Sequence, residues 1–227
     1  IPATTARRLP DSVDFAAATG LNYAYGTTLH ALEHRANIQP GGTMLVLGAG
    51  LQGCATAFDL LQNPAVTQVT IADLHPEQLA AFLDPYKGTP RLKAVKLDVT
   101  DLPAVTALMR GHVSVMSAIP YYFNAPMAGC AVEAGCNFSD LGGNTEIVFE
   151  QKKLHAAAAA KGLSVIPDCG LAPGMVNILA QDGISQFDAV DEVKIFVGGL
   201  PQFPEPPLNY QIVYSLEGVL DYYTTLS

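Results

Sequence analysis

No apolar run in this chain approaches the roughly 20 residues that a membrane-spanning helix needs. Basic residues are scarce too: 12 Lys and Arg stand against 21 Asp and Glu, for a net charge of −9. Such an acidic chain repels the phosphates of nucleic acid and of anionic membranes, so neither is expected as a partner. Charged residues make up only 15%, against 49% hydrophobic, so 227 residues readily build a core. Cysteine is sparse, and Cys54, Cys130, Cys136 and Cys169 form no C-x-x-C pair and no His/Cys ligand spacing. Buried free thiols in a reducing, cytoplasmic compartment are expected, with no metal site. A Ser/His/Asp or Cys/His nucleophile arrangement is missing as well, as is any secretory or transit pattern. The first residue is Ile1 instead of methionine, so an excerpt of a longer protein is expected.

What is present is concentrated between Thr43 and Asp73. Met44 to Leu47 is a short apolar run with Gly41-Gly42 before it and glycine after it, the pattern of a strand buried on both faces. Gly48, Gly50 and Gly53 follow in G-x-G-x-x-G spacing. From Leu51 the apolar residues take helical spacing (Leu51, Ala55, Phe58, Leu61) as far as Asn63-Pro64. A second strand, Val69 to Ala72, closes on Asp73, 20 residues past Gly53.

Each part of that stretch has a physical task. Gly48 permits a tight turn, Gly50 lets the backbone approach a pyrophosphate, and Gly53 lets helix and strand pack closely. The N–H groups at Leu51 and Gln52 then belong to a helix start whose dipole favours phosphate. Asp73 is placed to accept hydrogen bonds from an adenosine ribose, and its charge repels a 2′-phosphate. Leu74, His75 and Pro76 offer no arginine to hold that phosphate, so NAD is expected over NADP.

Farther on, helices are expected at Glu77–Phe82, Leu102–Met109, Phe123–Ala134 and Glu146–Lys161. The last carries five consecutive alanines, Ala156 to Ala160. Strands are expected at Lys93–Leu97, Val113–Ile119, Cys136–Asp140 and Leu163–Ile166. Alternating strands and helices demand parallel pairing, giving an α/β, doubly wound, Rossmann-type sheet. Ser117, Ala118, Ile119 and Pro120 close the central strand where parallel sheets bind ligands. Asp140 and Asp168 end strands on the same side and are the candidate acid/base carboxylates, each with a turn-capping role as the alternative. Tyr121, Tyr122, His155 and Cys169 are weaker candidates: His155 reads as a surface residue, and Cys169 as a small buried thiol. A helix is expected from Met175 to about Phe187. Val190–Val197 alternates apolar and charged residues like a strand covered on one face, and Tyr210–Tyr214 is a further candidate strand.

Several stretches resemble the saccharopine dehydrogenase-like oxidoreductases, and within them most closely the L-lysine 6-dehydrogenase branch. They are MLVLGAGLQG, VTIADL, SAIPYYFN, SDLGGN, VIPDCGLAPGMVNILA and VGGLPQFPEPPLNY with YSLEGVLDYYT. The resemblance runs from Met44 to about Thr224. It implies a nucleotide-binding domain over 44–170 and an α+β substrate and dimerisation domain from 171, cut short at Ser227. It implies that Asp98 lies beside the adenine, with loop capping as an equal alternative. Gly142 and Gly170 would join the cofactor residues, while Tyr121, Gly143, Pro173 and Gly174 would face an amino-acid substrate. The implied activity is NAD-dependent oxidation at the amine-bearing carbon of a basic amino acid, in a homo-oligomer. Residues 1–43, a helical lead-in, and the first glycines resemble instead the lead-in segment of medium-chain quinone oxidoreductases, up to about residue 50. The chain thus reads as a join of two dehydrogenase families. A quinone or alcohol oxidoreductase and a catalytically silent NAD-binding module remain the alternatives.

Overall fold

A computed structural model describes residues 41–199, 201, 203–210 and 220. The expected lead-in helices and the strand expected beyond Tyr210 lie outside these residues.

Strand β1 (Gly42–Leu47) runs into helix α1 (Leu51–Gln62), which returns the chain to β2 (Val66–Asp73). Then come β3 (Leu92–Lys96), α2 (Leu102–Met109), β4 (Ser114–Ser117), α3 (Asn124–Ala134) and β5 (Asn137–Asp140). Helices α4 (Thr145–Lys152) and α5 (His155–Ala160) precede β6 (Val165–Ile166), and α6 (Met175–Ile184) follows it. The six strands form one parallel sheet in the order β3-β2-β1-β4-β5-β6. That is the Rossmann order, in which the crevice lies at the strand carboxyl ends where the winding reverses, between β1 and β4.

Period-two alternation along β1 explains both faces. Met44 and Val46 pack with α1 residues Cys54, Ala57, Leu60 and Leu61. Leu45 and Leu47 point the other way, into a cluster with Val105, Met109, Met127 and Phe138 from α2, α3 and β5. All four β1 side chains are wholly buried, as expected for a strand covered on both sides. Local capping also follows the sequence. Asp101 Oδ1 accepts from Ala104 N at 3.1 Å to start α2, and Asn144 Oδ1 accepts from Glu146 N at 2.9 Å to start α4.

Some elements differ from their sequence patterns. The helix expected over Glu77–Phe82 is a 3₁₀ helix over Ala81–Tyr86, because Pro85 removes a donor and Leu83 is pulled into the α1 cluster. The expected Glu146–Lys161 helix is two. Lys153 N and Leu154 N bond i−3 carbonyls, of Glu150 and Gln151, so the ladder tightens between α4 and α5. The strand expected over Val190–Val197 is irregular: it finds no partner strand among the described residues, and Val193 and Ile195 stay 47% and 46% exposed.

By its contacts the chain divides into residues 1–179 and 180–227, a boundary that falls inside α6. Among the described residues no helix is long and apolar enough to cross a membrane, and no group of three His, Cys, Asp or Glu is placed to hold a metal. All four cysteines are free and buried.

Candidate active site

The turn between β1 and α1 is shaped by what its glycines lack. Gly48 stands at φ +99°, and a Cβ there would lie 2.7 Å from the Ala118 carbonyl oxygen at the end of β4. A Cβ on Gly53 would overlap the Gly48 carbonyl itself. Gly50 is different, because a Cβ there would meet nothing within 4 Å. Backbone can be approached closely at that point. Helix α1 has no side-chain cap, and its first amide with a backbone acceptor is Cys54 N, bonded to Gly50 O at 2.9 Å. The amides of Leu51, Gln52 and Gly53 have no acceptor among the described residues. Leu51 is 80% exposed, so its own side chain leaves this helix start open.

Asp73 at the end of β2 is tied to the same turn. Its Oδ2 accepts from Ala49 N at 2.7 Å, and its Oδ1 accepts from His75 N at 2.8 Å. Two oxygens with about four lone-pair sites leave room for two more donors, the number a ribose diol offers. Leu74 is half exposed beside it. Asp98 lies two residues past the end of the neighbouring β3 and is drawn into its own turn, accepting from Thr100 N at 2.9 Å and Thr100 Oγ1 at 2.7 Å. Those two bonds, the hydroxyl's first, hold its carboxyl below the ordinary aspartate range.

At the end of β4, Ser117 is buried and donates its hydroxyl to Asn124 Oδ1 at 2.8 Å. Ala118 N bonds Leu47 O at 2.8 Å, and Ala118 and Ile119 border Gly48. Pro120 is exposed. The residues expected to bind cofactor from β1, β2 and β4 are therefore brought together along one crevice.

A second cluster sits at the ends of β5 and β6. Asp140 is wholly buried. Its Oδ2 accepts from Gln151 Nε2 at 2.6 Å, and its Oδ1 accepts from Gly142 N at 2.7 Å and Asp168 N at 3.2 Å. Burial pushes its carboxyl up, and these three hydrogen bonds pull against that shift. Asp168 is half-buried in left-handed backbone, φ +59°. Burial, then the Asp140 charge, raises its carboxyl as well, while the Gly143 amide opposes. A Cβ on Gly142 would collide with the Asp168 carboxylate, and one on Gly143 would lie 2.8 Å from Tyr121 Cβ. Cys169 N bonds the Asp140 carbonyl at 2.7 Å, and the Cys169 thiol is pushed up to about 12, mainly by burial. Gly170 and Gly174 pair in an isolated bridge. Asp140, Asp168, Gly142, Gly143, Tyr121 and Gly170 thus share one corner of the sheet. Pro173 is exposed, and His155 is exposed on α5.

Three participants escape sequence reasoning. Ala49 acts through its amide, which has no sequence signature. Asn124 and Gln151 act through side chains on helices α3 and α4: Asn124 is the one polar side chain among the buried residues of α3, and Gln151 is the one buried residue of α4. Such isolated polar residues at core-facing helical positions are the signal that can reveal them.

Comparison with known proteins decides the family. Residues 44–166 match the family model described as the saccharopine dehydrogenase NADP binding domain, and residues 170–226 match the saccharopine dehydrogenase C-terminal domain. The chain belongs to the saccharopine dehydrogenase family. It is 29% identical over 185 residues to the saccharopine dehydrogenase [NADP(+), L-glutamate-forming] of Schizosaccharomyces pombe, an alignment covering 78% of this chain and 39% of that protein. The chain spans about two-fifths of the length of the curated saccharopine dehydrogenases it matches. The structure of apo histidine-tagged saccharopine dehydrogenase (L-Glu forming) from Saccharomyces cerevisiae superposes with a TM-score of 0.61. It is 23% identical and covers 79% of this chain and 40% of that one, a likeness of fold. A 64-residue stretch is 42% identical to the quinone oxidoreductase-like protein 2 homolog of Nematostella vectensis, covering 28% of this chain and 17% of that protein. The open helix start, the space at Gly50 and the carboxylate acceptor at Asp73 fit a pyridine nucleotide, the class of ligand that the family's first domain binds.

Proposed function

We propose that this chain is the nucleotide-binding portion of an oxidoreductase that uses NAD to oxidise the amine-bearing carbon of a basic amino acid. One observation carries the cofactor preference: the Asp73 carboxylate, fastened to Ala49 N at 2.7 Å, closes the ribose end of the crevice with negative charge. A 2′-phosphate there would meet that charge, and the adjoining Leu74-His75-Pro76 offers no guanidinium to offset it. This reading runs against the NADP in the name of the matched domain and relatives, and it rests on the local residues. When bound, the nicotinamide supplies a hydride acceptor, chemistry that no side chain can provide.

The chain's own residues take the remaining tasks. The amides of Leu51, Gln52 and Gly53 would bind the pyrophosphate, and Asp73 would orient the adenosine ribose. Ala118 and Ile119 would border the nicotinamide side, where the small Ala118 leaves room, while Ser117 is buried and bonded to Asn124, so it stays in the core. Asp168 is the carboxylate with exposure to the crevice corner, and burial raises its affinity for a proton, as suits a group exchanging one with an amine.

The test is a fluorescence titration with NADH and NADPH, paired with a turnover assay using lysine and NAD. NADH binding about ten-fold tighter than NADPH, the size of one charge-assisted contact, supports the reading. Tighter binding of NADPH overturns the preference. Binding of NADH with no turnover of any amino acid selects the silent nucleotide-binding module.

A further inference from the structure

Asp140 presents an unusual combination. It is wholly buried, so it cannot touch a substrate, yet three donors from three different segments converge on its carboxylate. Gly142 N comes from the turn after β5, Asp168 N from the turn after β6, and Gln151 Nε2 from α4. Its backbone carbonyl also takes Cys169 N at 2.7 Å. The two turns are pressed together: the Asp168 side chain lies where a Gly142 Cβ would be, and the Leu141 carbonyl is 2.5 Å from where a Gly170 Cβ would be. Asp168 is also in left-handed backbone, which an aspartate holds only when its surroundings fix it.

Gln151 completes the arrangement. It is 2% exposed, donates to Asp140 Oδ2, and its own Oε1 has no partner among the described residues. A buried amide with one half unpaired is costly, and its other half is bonded to the carboxylate.

We propose that Asp140 is a positioning residue whose carboxylate, steadied by Gln151, clamps the turn after β5 to the turn after β6 and so sets Asp168 and both turns for the nicotinamide end of the cofactor. This rests on the pyridine-nucleotide reading above. It assigns Asp140 a role distinct from that of Asp168, although both are strand-end aspartates.

Residue-resolved amide exchange and ligand titration test it together, on the full chain and on Gln151→Leu, Asp140→Ala and Asp140→Asn. In Gln151→Leu and Asp140→Ala, exchange at Gly142 and Asp168 rises together by about ten-fold or more, the scale of one lost charge-assisted hydrogen bond, while β1 stays protected. Asp140→Asn restores protection. Its Oδ1 still accepts both amides, and a flipped Gln151 offers the now unpaired Oε1 to the new amide. If Asp140→Ala fails to fold, Gln151→Leu and Asp140→Asn decide alone. Independent responses of the two turns, or an Asp140→Asn as loose as Gln151→Leu, overturn the clamp.

In the titration, Gln151→Leu weakens NADH about ten-fold but leaves ADP-ribose, which lacks nicotinamide, within about two-fold. Equal losses for both ligands, or none, overturn the positioning role. Should the unaltered chain bind neither ligand, the proposed function fails, and the clamp is judged by exchange alone.

Discussion

The carboxyl ends of β2 and β5 each carry an aspartate beside a glycine-rich turn, and the two corners are put to opposite use. At the β2 end, Asp73 is partly exposed and takes one amide on each oxygen, from Ala49 and His75. The neighbouring helix start keeps the amides of Leu51, Gln52 and Gly53 without acceptors among the described residues. At the β5 end, Asp140 is wholly buried and satisfied from within by Gln151, Gly142 and Asp168. The first corner reserves its polar capacity for a ligand. The second spends it on holding two turns together. The same residue types therefore do different work, and burial with hydrogen-bond saturation separates them.

The comparison breaks most sharply at Gly53. Gly53→Ala puts a methyl group into the Gly48 carbonyl, which is rigid backbone, so it should destabilise the fold by about 3 kcal/mol. Urea melts measure that loss, and nucleotide binding should disappear with it. Gly50→Ala is the control: its Cβ meets nothing, so stability holds while pyrophosphate affinity falls. Next in size is Asp73→Asn. It removes the charge that faces a 2′-phosphate, so NADH affinity should drop about ten-fold and the gap to NADPH should narrow in parallel titrations.

The closed corner is probed by pH. Burial first, and for Asp168 also the Asp140 charge, holds both carboxyls above the ordinary aspartate value near 3.8. A folded state that keeps its protons more tightly than the unfolded chain is favoured at acid pH. It loses that stability as pH rises through the raised values. Asp140→Asn lacks this contribution, so its melting temperature should fall less than the parent's between pH 4 and 7. The smallest signal comes from the thiols. Cys169 and Cys136 are pushed up to about 12 and about 11 by burial, so both stay protonated at pH 8. Iodoacetamide should label neither until the chain unfolds.

Legibility in the sequence follows the same division. The open corner was readable from Thr43 to Asp73 because a G-x-G-x-x-G turn fixes spacing, and β1, α1 and the strand end at Asp73 all stand where that spacing puts them. The parallel sheet was readable from alternating apolar strands and amphipathic helices. The closed corner was readable only in part. Asp140 and Asp168 were identifiable as strand-end carboxylates, but their unequal burial depends on Gln151, which reaches back from α4 across 11 positions. Alternation over Val190–Val197 misled because it marks a strand only where a neighbouring strand pairs with it, and none does among the described residues. The helix pattern over Glu77–Phe82 failed for a different reason, since Pro85 shifts the chain into a 3₁₀ turn.

The central claim is that a dinucleotide's phosphates rest on the amides opening α1. A ¹⁵N–¹H correlation spectrum recorded as NADH is added tests it directly. The account predicts large shifts and slowed exchange at Leu51, Gln52 and Gly53, with a matching shift at Ala49, whose amide is held by Asp73. Saturable NADH binding that leaves those four amides unmoved would contradict it.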